Sequence, residues 1–206
     1  MNKQNILMVS LICLGMFLFI SGCAPVQLDT GNTTLRPKEQ VRFEVGEVEV
    51  INEARIENIN TSQSSLFSAR QIQISVKEIH QRQFHSIVVR FLNDLIVSDQ
   101  GSEGKAVVRI DRAICIRCSP PLEGAPIFGL LTVGDKRTWI SIISGDVEIE
   151  NEQGHIIKRV GFNVKSQIER KWEWDGNEVV KFLNELIRLT LPRLEKEIQN
   201  LKDELW

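Results

Sequence analysis

The apolar residues of this chain change period along its length, and that change limits the fold more than any single motif. Between residues 41 and 51 they alternate: Val41, Phe43 and Val45, then Val48 and Val50. Alternation puts them on one face of a strand. The phase slips at Gly46-Glu47, which predicts a β-bulge. Between residues 68 and 97 the period is helical. Val76, Ile79, Phe84, Ile87, Val88, Phe91, Leu92, Leu95 and Ile96 recur every three or four residues and form one stripe. Ser68 with Gln71 and Ser75 with Glu78 both have capping-box spacing, so the helix has two candidate starts.

Alternation then returns three times. Residues 105–116 read as a strand with Val108, Ile110, Ile114 and Ile116 on one face, interrupted by Arg112. Arg109, Asp111 and Arg117 fall on the other. Residues 137–150 and 156–170 read as two more strands, joined by a hairpin turn at 151–155 that contains Gly154. In the second, Val160, Phe162, Val164 and Ile168 face inward, while Arg159, Asn163, Lys165 and Gln167 face out. A final helical stripe runs through Val179, Val180, Phe182, Leu183, Leu186 and Ile187, and Leu194, Ile198, Leu201 and Leu205 continue it beyond Pro192. Proline removes a helix hydrogen bond, so a kink or break is expected at Thr190-Leu191. The order predicts an α+β fold. It is a two-layer sandwich, a mixed sheet of about four strands with two long helices on one face and a wet opposite face.

Ahead of this domain lies a different kind of sequence. Lys3 is followed by an almost wholly apolar run from Ile6 to Ile20, then Ser21, Gly22 and Cys23. That is the plan of a secretory signal, and the run is shorter than the roughly 20 residues a bilayer span needs. Residues 24–40 are polar and broken by Pro25, Gly31 and Pro37. They read as a flexible tether. The expected organisation is therefore a signal peptide at 1–22, Cys23 with its tether at 23–40, and one globular domain at 41–206. Removing 22 of 206 residues leaves 184, enough for a sizeable single core.

Ile20-Ser21-Gly22-Cys23 resembles the lipobox of bacterial lipoproteins: an aliphatic residue, a small residue, Gly or Ala, then Cys. The resemblance implies a diacylglyceryl group on the Cys23 thiol, cleavage before it, and acylation (palmitate) of the new amino group. Two or more acyl chains anchor a protein stably where one does not. In that family the next residue influences sorting. Here it is Ala24 rather than Asp, which implies the outer membrane of a Gram-negative cell, on its periplasmic face. By element order across 41–206, the domain resembles small Gram-negative envelope lipoproteins with an anticodon-binding-like α/β sandwich. These include peptidoglycan-synthase activators and assembly lipoproteins. The hairpin sequence "GDVEIENEQGHII" adds a local likeness to uncharacterised lipoproteins of that group.

Cys115 and Cys118 form a C-x-x-C pair. A redox site places such a pair at a helix N-terminus, where the thiol pKa falls. Here Ser119, Pro120 and Pro121 follow and disfavour a helix. A zinc site needs about two more ligands. Of the candidates His80, His85 and His155, the first two sit five residues apart on a helix and diverge by about 140°. No metal is expected, and His80 reads as a histidine at the edge of the core. A local disulfide is the expectation, with two free thiols as its rival. In a continuing strand, residues three apart are roughly 10 Å apart, beyond the roughly 7 Å limit, so the strand must bend between them.

The remaining candidates are few. Glu44, Glu47 and Glu49 read as a solvated edge. Trp172 and Trp174 read as core plugs at a strand end, with a sugar- or partner-stacking platform as the sharper alternative. Residues 119–136 exceed the roughly 12–15 usual for a structureless loop. Ile127, Phe128, Leu130 and Leu131 make that segment too apolar for a solvated linker. It either folds back on the sheet or docks a partner. Lysine and arginine number 25 against 27 acidic residues, and the leader removes only Lys3, leaving −3. That balance supplies no reason to expect nucleic acid. The expected function is a non-enzymatic outer-membrane lipoprotein that binds an envelope protein as an accessory or assembly factor. It needs no cofactor beyond the covalent lipid on Cys23, and its partners are the membrane, through the anchor, and that protein. The alternative is a transport auxiliary or carrier that holds a lipid or apolar ligand.

Overall fold

Three long strands carry the fold: β6 (Lys105–Ser119), β7 (Lys136–Glu150) and β8 (Ile156–Lys171), of 15, 15 and 16 residues. They run antiparallel in sequence order. The computed structural model describes residues 35–56, 60–61, 72–99, 101–119, 136–171 and 178–206. The other described elements are β1 (Val41–Phe43), β2 (Glu47–Asn52), β3 (Asn60–Thr61), β4 (Ile72–Ser75), α1 (Glu78–Leu95), β5 (Ile96–Ser98) and α2 (Glu178–Leu205).

Six of the described strands join in one mixed sheet, against the about four expected. The reason is that β6 is long enough to seat two short strands along one edge. β2 pairs with its first part in parallel, Glu47 opposite Lys105 through Asn52 opposite Ile110. β4 pairs with its last part, Ile72 opposite Ser119 through Ser75 opposite Ile116, and β3 pairs beyond β4. A separate parallel pair, β1 with β5, runs Val41 opposite Ile96 to Phe43 opposite Ser98.

The expected bulge at Gly46-Glu47 is a strand switch between the two sheets. The amides of Gly46 and Glu47 both donate to the Gly104 carbonyl, at 3.1 and 3.3 Å. A side chain at Gly46 would put its Cβ 2.5 Å from the Ser102 carbonyl oxygen.

Helix α1 begins about ten residues later than the first capping box. Residues 72–75 are strand instead, because pairing with β6 satisfies their backbone. The Val76 amide extends that contact to the Cys115 carbonyl at 3.3 Å. Gln81 Nε2 then donates to the Val76 carbonyl at 3.1 Å. The stripe is narrower than expected: Ile79 is 50% exposed, whereas Phe84, Ile87, Val88, Phe91, Leu92 and Leu95 are buried. Helix α2 runs uninterrupted through Pro192, whose side chain lies on the exposed side. Of the kink or break expected at Thr190-Leu191, the break is absent. The adjoining turns are held by burial: Leu186, Leu194 and Ile198 are fully enclosed, each contributing about 1.5–3 kcal/mol.

Both helices and one set of strand residues share a single hydrophobic cluster. On β6 that set is Ala106, Val108 and Ile110, then Ala113 and Cys115. The parity changes because the β6–β7 register shifts between Ile110 and Arg112. One extra residue in a strand turns every later side chain over. Ile114 and Ile116, expected beside Val108, are therefore buried on the opposite face. That face is not wet throughout, as expected; it is wet along β8, where Arg159, Asn163, Lys165 and Gln167 are exposed. Gly145 sits opposite Ile110 at the bulge. A Cβ there would overlap the Arg109 carbonyl oxygen and come within 2.9 Å of the Phe162 ring.

Residues 35–40, assigned to the tether, are held on the domain. The amides of Lys38 and Glu39 both donate to the carboxylate of Glu195 on α2, at 3.2–3.3 Å. Leu35 packs against the cluster.

Candidate functional site

The two cysteines are free, and β6 continues through both without a bend. Cys115 lies opposite Ser141, within the cluster; Cys118 lies opposite Thr138, on the other face. The geometric condition for a bridge is not met, so the expected disulfide is corrected to two thiols. Burial pushes the Cys115 thiol far above its ordinary range. Burial also raises Cys118, while the Lys165 ammonium pulls it the other way. Protonated thiols are poor nucleophiles and poor metal ligands.

A row of small residues crosses the core beside Cys115. Ser141 pairs with Cys115 on one side and Ser166 on the other. The Ser141 hydroxyl meets the Thr190 hydroxyl at 2.6 Å, and Thr190 also donates to the Leu186 carbonyl at 2.6 Å. His85, buried on α1, hydrogen-bonds the backbone at Ala113, just past the bulge. Its Nε2 has no partner among the described residues. Burial holds its pKa below the ordinary value, against that hydrogen bond. His80 is half-buried, 3.4 Å from Gln83 Oε1, and His155 lies exposed in the hairpin turn. The histidines thus serve separate places. Among the described residues no group of three or more His, Cys, Asp or Glu is arranged to hold a metal ion.

The densest charge lies across β2, β6, β7 and β8, on the face away from the cluster. Arg109 Nε donates to Glu148 Oε2 at 2.9 Å and its Nη1 to Glu53 Oε1 at 2.8 Å. Arg159 Nη2 donates to Asp146 Oδ2 at 2.7 Å and its Nη1 lies 3.3 Å from Glu148 Oε1. Asp146 and Glu148 are 5% and 3% exposed, whereas Arg109 is half-buried and Arg159 exposed, so two buried carboxylates are shared by arginines that reach solvent. Asp146 Oδ1 has no partner among the described residues. Hydrogen bonding to Glu148 raises the Arg109 pKa, and hydrogen bonding to Asp146 raises that of Arg159. Sequence reading missed this network, because matching Arg109 and Arg159 to Asp146 and Glu148 takes the cross-strand register. Glu44, Glu47 and Glu49 are exposed, as a solvated edge should be, and Glu47 and Glu49 flank Lys105 at 3.4 and 2.6 Å.

The hairpin behaves as its sequence predicts. Asn151 Oδ1 accepts from the amides of Gln153 and His155 at 3.0 and 2.9 Å, and Gly154 takes a positive φ of 75°. It launches β8, which forms the end of the sheet opposite β3. Cys23, Ile127, Phe128, Leu130, Leu131, Trp172 and Trp174 lie outside the described residues.

No protein-family profile matches the chain, and no curated protein sequence does. Among solved structures, it is similar to a minor lipoprotein from Acinetobacter baumannii at 11% identity and a TM-score of 0.34, over 75% of this chain and 88% of that one. Protein XCC0632 from Xanthomonas campestris, of family DUF330, is 12% identical with a TM-score of 0.34, over 82% and 91%. An uncharacterized lipoprotein B from Nitrosomonas europaea is 9% identical with a TM-score of 0.33, over 79% and 85%.

Proposed function

We propose that the chain is an outer-membrane lipoprotein facing the periplasm, a non-enzymatic accessory or assembly factor for an envelope protein. The observation that carries this is the leader: an apolar run from Ile6 to Ile20 that ends in Ser21-Gly22-Cys23. Cys23 bears the lipid and no other cofactor is needed. Both helices cover one face of the sheet and leave the wet part of the other to partners. Ile127, Phe128, Leu130 and Leu131 supply one apolar contact to the partner.

Cys23→Ala tests the anchor. The variant should accumulate as unprocessed precursor without acyl chains; a matured, acylated Cys23→Ala protein would sink the reading. Phe128→Asp with Leu131→Asp should leave the domain folded and weaken in-cell crosslinking to its partner. A lipid that stays bound in native mass spectra of the delipidated domain would replace the accessory role with the carrier role.

A further inference from the structure

Strand β8 is 16 residues long and pairs with β7 alone among the described strands. Its register with β7 is unbroken from Lys158 to Lys171, and it contains no proline. In an antiparallel ladder every second residue turns both backbone groups away from its neighbour. The Lys165 carbonyl is one of these, since Arg193 Nη1 reaches it from α2 at 2.9 Å. An edge of this length has about eight such residues, and Arg193 already answers the carbonyl of one of them.

The charged side chains on that strand are mostly basic. Lys158, Arg159, Lys165, Arg170 and Lys171 stand against Glu169 alone, and all six are exposed. The whole chain carries −2, so basic charge is concentrated here. Arg159 is ion-paired with Asp146, and Arg170 with Glu185. Lys165 and Lys171 have no ion pair among the described residues. At the start of the strand Ile156 and Ile157 are 53% and 65% exposed, a rare apolar pair on this surface.

We propose that the outer edge of β8, which pairs with no other described strand, takes an extended, acidic segment of a partner protein as an added strand. This rests on the accessory role proposed above and names its contact surface. Alternating outward N–H and C=O groups match a polypeptide backbone, which offers both in turn. A phosphate headgroup offers acceptors and leaves the strand carbonyls unanswered. A second copy of β8 would set like charges face to face, which costs pairing energy.

The test uses the detergent-solubilised full-length protein and a fluorescent peptide of about ten residues that alternates Glu and Val. Binding should be saturable. It should be lost when alternate peptide amides are N-methylated, which removes the donors but keeps the charge. Lys165→Glu with Lys171→Glu should weaken it about tenfold with the circular dichroism unchanged. Gln167→Pro, which removes one outward N–H of the edge, should weaken it as well. Undiminished binding of the N-methylated peptide, equal binding of a Lys-Val peptide, or no binding at all would overturn the proposal. Displacement of the peptide by phosphatidylglycerol vesicles, with equal loss in the charge-reversed variant, would convert the edge into a lipid-headgroup surface and overturn it too. Photo-crosslinkers at Asn163 and Gln167 in cells separate the two readings. Adducts formed only from other surfaces overturn the edge and leave the accessory role standing.

Discussion

Cys115 and Cys118 are three residues apart on β6 and point to opposite faces of the sheet, one toward Ser141 in the core and the other beside Thr138. A strand that ran on without bending could not have bridged them. The purified protein, denatured without reductant, should therefore show Cys115 and Cys118 both alkylated. In the native state Cys115 should react last, since burial keeps its thiol protonated. Failure of both to alkylate after denaturation would restore the bridge.

Gly145 marks where the β6 bulge presses on β7. Gly145→Ala forces a methyl group into the Arg109 carbonyl, a contact with backbone that no rotamer relieves. Overpacking of this kind costs about 1–3 kcal/mol. A urea midpoint unchanged in Gly145→Ala would mean that the strands separate more easily than this geometry allows.

Removing one member of the buried charge network should cost more than its exposure suggests. Arg109→Met leaves Glu148 with Arg159 alone and Glu53 without its partner. The expected loss is about 1–3 kcal/mol, because the buried Glu148 carboxylate loses one of two arginines while solvent around the other screens part of the cost. Glu148→Gln keeps the shape and removes the charge, and should cost about 1–2 kcal/mol. If Arg109→Met lay within about 0.5 kcal/mol of the parent, the network would be solvent-screened like an ordinary surface pair.

His85 gives the fold an acid sensitivity of definite sign. Burial, the larger influence, holds its folded pKa below the ordinary 6.5, and the hydrogen bond to the Ala113 backbone only partly opposes this. The unfolded chain thus takes up the proton first as pH falls. Stability that depends on neutral His85 is full above about pH 6.5 and is lost as pH falls through that value toward the folded pKa. The drop in unfolding free energy between about pH 7.5 and about pH 5.5 should be smaller in His85→Gln than in the parent. An equal drop in both would place the acid sensitivity elsewhere.

Much of the fold was legible because its local signals agree. Asn151 and Gly154 announce the hairpin, and the alternation of Val160, Phe162, Val164 and Ile168 holds the phase of β8 to its end. What escaped was decided by register. From Ala113 to Ile116 both faces of β6 are apolar, so the parity change at Asp111 leaves no mark in hydropathy. Residues 72–75 lie where a helical stripe could begin, and only pairing with the far end of β6 makes them strand. The Arg109–Glu148 and Asp146–Arg159 contacts need the cross-strand register before their charges can be matched. Pro192 predicts a break that burial of the flanking leucines overrides.

The grip of Glu195 on the amides of Lys38 and Glu39 sets a leash length. Chain from Leu35 onward is held on the domain surface, so Cys23 can stand no more than a dozen residue steps from it. Fully extended they reach at most about 40 Å. If Cys23 sits in a bilayer, the domain works within that radius of the membrane. A partner that meets it farther into the envelope must come to it, and an insertion of a few Gly-Ser units ahead of Leu35 would widen its patrol without touching the fold.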